Sequence, residues 1–124
     1  MNPILGTIVI YAKNMQATAD FYQTYFGFKS TGEVVEGLIE LTAPQGGANI
    51  LIHQAAKSIK LGQVGMKLMF DVKDVEAFKK SAERKGLKFG STHIANGYVF
   101  ANTKDPDKNS VSISSRAFRK KPNA

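Results

Sequence analysis

The chain contains no cysteine. That excludes a disulfide scaffold, Cys-ligated zinc, an iron–sulfur cluster and a thiol nucleophile. Histidine is scarce too, with only His53 and His93, so a His-rich metal site within one chain is excluded. No apolar run exceeds the length of a short strand, and nothing reads as a membrane span. Residues Met1 to Tyr11 carry neither a basic n-region nor a long apolar h-region. No signal peptide is therefore expected, and the cytoplasm is the default location. Gly46-Gly47 lacks the strand–helix context of a phosphate-binding loop, and no Ser–His–acid spacing of a hydrolase is present.

What is there is an ordinary globular composition. The chain has 124 residues, 43% of them hydrophobic, which suits one domain or two small halves sharing a core. Seventeen Lys and Arg face ten Asp and Glu, for a net charge of +7. Charge alone raises nucleic acid, acidic ligands and anionic surfaces as partners. No recognition-helix, zinc or ribonucleoprotein motif accompanies it, so neither nucleic acid nor membrane is expected as a partner. Arg116, Arg119, Lys120 and Lys121 fall in the last nine residues, which hold no acid. Without those four cations the charge drops to +3, and the basic tail, 116–124, is expected to be solvated and frayed.

The order of local signals repeats. Thr7–Ala12 is β-branched and apolar, a strand, and Asn14 is positioned to cap the helix that follows. Ala19, Phe21, Tyr22, Tyr25 and Phe26 form a helical stripe, and Gly27 ends it. Strands are expected at Lys29–Glu36, Leu38–Thr42 and Ala48–His53, separated by Gly37 and by Pro44 to Gly47. After a polar linker, about 55–65, the pattern restarts. Lys67–Val72 reads as a strand, Asp74 as a cap, Val75, Phe78 and Ala82 as a helical stripe, and Gly86 as its end. Strands are then expected at Leu87–Thr92, Tyr98–Asn102 and Ser110–Ser115, with Asp105-Pro106-Asp107 as the turn before the last. Thr7 precedes Lys67 by 60 residues, Gly27 precedes Gly86 by 59, and Ile50 precedes Val111 by 61. Those offsets describe a βαβββ unit used twice, module one at about 4–54 and module two at about 66–115. Neither half has helix enough to bury a sheet alone.

Strand alternation divides each strand into two faces. Ile8, Ile10, Ile50, Ile52, Leu68, Phe70, Val111 and Ile113 form an aliphatic set suited to packing against the helices. The opposite set is mixed: Thr7, Val9, Tyr11, Leu51, His53, Lys67, Met69, Asp71, Ser110, Ser112 and Ser114, with Arg116 continuing the last strand's face. A sheet with such a second face lines a cleft or meets bulk water, and residues as large as Tyr11, Leu51 and Met69 favour a cleft with a partly apolar floor.

Ile8-Val9-Ile10-Tyr11-Ala12-Lys13-Asn14 running into Phe21-Tyr22 and Tyr25-Phe26-Gly27-Phe28, with Asp105-Pro106-Asp107 ahead of the closing strand, resembles the vicinal oxygen chelate superfamily. Glyoxalase I, bleomycin-resistance proteins and extradiol dioxygenases belong to it. The resemblance covers Ile4 to Phe118. It implies an α+β fold: two βαβββ modules forming a curved, incompletely closed mixed β-barrel, with helices on the convex face and ligand on the concave one. It also implies a homodimer. The family's divalent metal would be held near the starts of the first and fifth strands and on the fourth and eighth. Those places are Thr7, Lys67, Leu51 and Ser112 here, and none is His, Asp or Glu. A shift by one residue meets only Gly6, Met66 and aliphatic side chains. No metal and no cofactor is therefore expected, unless His53, Glu40 or Asp71 builds an unusual site.

The expected ligand contacts are Thr7, Tyr11, Leu51, His53, Lys67, Met69, Ser112, Ser114 and Arg116. Tyr11, Tyr98, Phe100 and Phe118 are either stacking platforms or core. His93, before a turn, reads as a loop residue. The resemblance and the missing ligands together point to a metal-independent binding protein for a small, neutral or anionic, partly aromatic molecule. The alternative is a metal-free isomerase or lyase, with His53, Glu40 or Asp71 as base and Lys67 stabilising an enolate or oxyanion. A divergent metal-dependent glyoxalase or dioxygenase comes after both.

Overall fold

The computed structural model describes residues 2–120. The elements run β1 (Thr7–Ala12), α1 (Met15–Phe26), β2 (Leu38–Leu41), β3 (Asn49–Gln54), β4 (Lys67–Asp71), α2 (Val75–Arg84), β5 (His93–Ile94), β6 (Val99–Lys104) and β7 (Ser110–Ser114), then a 3-10 turn over Arg116–Phe118. The chain divides into two units between Gln63 and Val64, inside the expected linker. Each unit is one helix with one mixed sheet, of three strands in the first and four in the second. Among the described residues no helix is long and apolar enough to cross a membrane.

In unit 1 the strand order is β1-β3-β2, with β1 parallel and β2 antiparallel to β3. In unit 2 the order is β4-β7-β6-β5, with β4 parallel and β6 antiparallel to β7. The offsets read from sequence are thus also offsets of register: Ile8 pairs with Ile50 as Leu68 pairs with Val111. Two rows of aliphatic side chains cross the helix-facing side of unit 1, Ile8–Ile50–Leu41 and Ile10–Ile52–Ile39. Their equivalents in unit 2 are Leu68–Val111–Thr103 and Phe70–Ile113–Ala101.

Both helices start where the cap residues indicate. The side chain of Asn14 accepts from the Ala17 amide at 3.0 Å, and that of Asp74 accepts from the Ala77 amide at 3.0 Å. Gly27 ends α1 at φ 75°, a left-handed conformation that glycine adopts freely. The FY…YFGF stretch is core: Phe21, Tyr22 and Phe28 are buried, and Phe21 meets Tyr22 edge-on at 5.0 Å. In unit 2, Val75, Ala82 and Phe89 are the buried apolar residues beneath Val111 and Ile113, and Phe78 meets Phe89 edge-on at 6.1 Å.

Two expected strands are absent. Lys29–Glu36 makes only single bridges, Lys29 to Thr42 and Val35 to Leu38. Its carbonyls turn to α1 instead, where Gln16 donates to Gly32 O and Gln23 to Ser30 O. Glu36 and Gly37 both hold positive φ, and Val35 and Leu38 exchange both backbone bonds around them. That is the two-residue turn whose central positions favour glycine. Leu87–Thr92 forms no ladder: it meets β6 through the Gly90 amide on Asn102 O and the Thr103 hydroxyl on Lys88 O, while Thr92 bonds Glu76 of α2 and Lys79 donates to the Thr92 hydroxyl at 2.9 Å. The strand in that region is β5, so His93 is a sheet residue rather than a loop residue.

Asp105 organises the β6–β7 turn. Its carboxylate accepts from the amides of Asp107 and Asn109 and from the Asn109 side chain, all at 2.8–2.9 Å, and it is buried. The basic tail is seated at its start. Arg116 N–H donates to the Ser114 hydroxyl, Phe118 N–H to Ser115 O, and Arg119 N–H to Arg116 O. Arg116 and Arg119 also lie against the Tyr98 ring. Residues 121–124 lie outside the described residues.

Candidate functional site

Each sheet has a face turned away from its helix; Thr7, Tyr11, Leu51, His53, Lys67 and Met69 lie in its rows, whereas Arg116 is in the 3-10 turn after β7 and Ser112 and Ser114 are buried. In unit 1 three rows cross that face: Thr7–Asn49, Val9–Leu51–Glu40 and Tyr11–His53–Leu38. Thr7, Val9, Tyr11, Glu40 and His53 are exposed, and Leu51 is half-buried. The Tyr11 and His53 rings touch at 5.2 Å. His53 Nδ1 lies 2.8 Å from Gln54 O. A carbonyl can only accept, so the neutral ring carries its proton on Nδ1 and leaves the Nε2 lone pair outward.

In unit 2 the matching rows are Lys67–Ser110–Lys104, Met69–Ser112–Asn102 and Asp71–Ser114–Phe100–His93. Lys67 is exposed, yet it has a fixed setting. Its ammonium donates to Asn102 Oδ1 at 3.0 Å and stands 5.7 Å from the centre of the Phe100 ring. His93 stacks on Phe100 at 5.0 Å, and Tyr98 lies 6.4 Å from Phe100. Lys104 donates to the Ser110 hydroxyl at 3.0 Å. Met69 and Asp71 are exposed on the same face.

Ser112 and Ser114 are fully buried. The Ser112 hydroxyl donates to Ala101 O at 3.1 Å, and the Ser114 hydroxyl accepts from the Arg116 amide. Both are short side chains flanked in register by longer ones, so their hydroxyls serve the sheet and the tail. Asn102, His93, Lys104 and Arg119 were not among the expected contacts. Asn102 carries no signal of its own, since its meeting with Lys67 depends on a pairing 35 residues apart. Arg119 reads from the sequence as a tail cation; in the structure it bonds Arg116 O and lies against the Tyr98 ring.

The residues at the places where the resemblance puts metal ligands do not suit a divalent ion. Leu51 offers hydrocarbon, Lys67 a cation, and Ser112 a hydroxyl engaged on backbone; Thr7 alone has a free oxygen. Hard or borderline cations need carboxylate or imidazole donors there. The substitute donors do not gather either: among the described residues no three His, Cys, Asp or Glu side chains group as a metal site.

The sequence profile of the Glyoxalase/Bleomycin resistance protein/Dioxygenase superfamily matches residues 4–113. The chain belongs to that superfamily. Its solved relatives share the fold at low identity. Lactoylglutathione lyase from Agrobacterium tumefaciens is 21% identical, with a TM-score of 0.70 over 91% of this chain and 93% of its own. TnmS3, an antibiotic binding protein from Streptomyces sp. CB03234, is 14% identical, with a TM-score of 0.75 over 90% and 94%. UcmS2 is 14% identical, with a TM-score of 0.77 over 93% and 99%. No protein of curated function matches the sequence. A lyase and an antibiotic binding protein thus stand among the solved structures that share this fold, and the fold by itself does not decide between roles.

Proposed function

We propose that this superfamily member binds a small, partly aromatic molecule, neutral or anionic, on the open faces of its sheets and without a divalent metal. The observation that carries this reading is Lys67. It stands where the resemblance to the superfamily puts a metal ligand, and it is held between Asn102 and the Phe100 ring. A fixed ammonium beside an aromatic edge attracts carboxylates, phosphates and enolates and disfavours cations. The antibiotic-binding neighbour TnmS3 is a precedent for a binding role on this fold.

Isothermal titration of EDTA-treated protein against matched aromatic anions, neutrals and cations tests it. The expected order is anion above neutral above cation, with Lys67→Met weakening anions about tenfold, or ~1.4 kcal/mol. Binding of cations alone, or binding only after a divalent metal is restored, overturns it.

His53 supports a second reading, a metal-free isomerase or lyase, because its outward Nε2 is free to accept a proton. Proton exchange at an activated carbon acid in EDTA-treated protein, lost in His53→Ala, is the expected sign. Full exchange in that variant removes His53 from the role.

A further inference from the structure

We infer that Arg116 and Arg119, gathered on the Tyr98 ring, form a second anion-recognition point in unit 2, and that the ligand is an aromatic oxyanion: a flat ring system bearing a phosphate or carboxylate on a short arm. This rests on the binding role proposed above and narrows its ligand class.

The guanidinium carbons of Arg116 and Arg119 lie 5.9 and 5.7 Å from the centre of the same ring. One cation on a tyrosine is a common packing device. Two on one ring stand within about a Debye length of each other, so their mutual repulsion is only partly screened. Carboxylates would normally offset it, yet neither arginine has a carboxylate partner among the described residues. Arg119 donates one side-chain N–H to Arg116 O at 3.1 Å, while the Arg116 side chain makes no hydrogen bond among them. The remaining guanidinium N–H groups of the pair have no acceptor among the described residues. An oxyanion received by those groups takes charge-assisted hydrogen bonds from both arginines and turns the repulsion into attraction.

The aromatic part of the ligand follows from what lies beside this pair. Tyr98 leads to Phe100 at 6.4 Å, and Phe100 carries His93 on one side and Lys67 near its ring. Same-face neighbours on a strand stand about 7 Å apart, the breadth of one fused ring system. A flat ligand lying beside Phe100, whose ring already carries His93 and Lys67, is placed to meet the Lys67 ammonium with one edge and the arginine pair with an arm. Lys73, over Phe118 at 5.6 Å, adds positive charge near the same turn, and Asp71 is the acid on this face.

The test uses the full chain and two probes that differ only in the oxyanion, 2-naphthol and 2-naphthyl phosphate, titrated by fluorescence at low salt. The wild type is expected to bind the phosphate at least about tenfold more tightly than the naphthol. In Arg116→Ala/Arg119→Ala that gain shrinks to about threefold or less, the part left to Lys67, while naphthol binds as before. The Arg116→Lys/Arg119→Lys variant keeps the charge but loses the paired forks, and recovers only part of the gain. A thermal melt of each variant, matched to wild type, excludes loss of fold. Naphthol binding with no phosphate gain, or a gain intact in the double alanine variant, overturns the inference and leaves the binding role standing. Failure of both probes overturns the binding role itself, and the inference with it.

Discussion

The two units place the same backbone under opposite surfaces. Toward the helices they agree row for row: Ile10–Ile52–Ile39 in one is Phe70–Ile113–Ala101 in the other. On the open faces they part company. Thr7 becomes Lys67, Val9 becomes Met69, Leu38 becomes Phe100 and Glu40 becomes Asn102. Unit 1 buries Phe21, Tyr22 and Phe28 on its helix side and carries only Tyr11, against His53, among the described aromatic residues of its open face. Unit 2 carries Tyr98, Phe100 and His93 on the open side, with Lys67, Arg116 and Arg119 against them. Burial constrains the inner rows of both units alike, so they hold the repeat. The outer rows are free to differ, and the difference is where a ligand would be chosen.

If that division is right, aromatic truncations should have unequal consequences. Tyr22→Ala removes a fully buried ring and is expected to destabilise by about 3–5 kcal/mol, whereas Phe100→Ala, at a half-buried ring on the open face, is expected to cost about 1–2 kcal/mol. Urea denaturation of both variants checks the contrast; equal losses would mean that the open face of unit 2 is structural. Asp105→Ala leaves three donors of the β6–β7 turn without their carboxylate and is expected to destabilise by roughly 2–3 kcal/mol, measured in the same way. A loss under half a kcal/mol would show that water replaces it freely. The smallest effects concern the caps. Asn14→Ala and Asp74→Ala each remove one equivalent bond and should each cost about 1 kcal/mol, a matched pair against which the other differences can be judged.

Much of this arrangement could be read from the sequence because it depends on local chemistry. Asn14, Gly27 and Asp74 mark helix ends through bonds to residues a few positions away. Alternation in Thr7–Ala12 and Lys67–Asp71 separates the faces without knowledge of any partner strand. Strand propensity failed at Lys29–Glu36 and Leu87–Thr92, where side chains of α1 and α2 engage the segment before a ladder can. The site was legible in part. Lys67 stood out as a cation where the resemblance puts a metal ligand, whereas Arg116, read as continuing the β7 face, opens a 3-10 turn because the strand ends at Ser114. Asn102, Arg119 and the stacking of His93 on Phe100 were not legible, since each depends on a register between distant strands. Burial of Ser112 and Ser114 was hidden for the same reason: alternation assigns a face but not the height of the neighbours.

The position of Tyr98 also has an optical consequence. The chain has no tryptophan and four tyrosines, so its near-ultraviolet emission comes from tyrosine alone. Tyr22 is sealed in the core of unit 1, while the half-buried Tyr98 ring has two guanidiniums against it and lies beside Phe100, where the proposed aromatic guest would lie. With Tyr11 and Tyr25 changed to phenylalanine, emission would divide between a silent interior ring and one that reports occupancy. The protein would then signal its own ligand, with no label added.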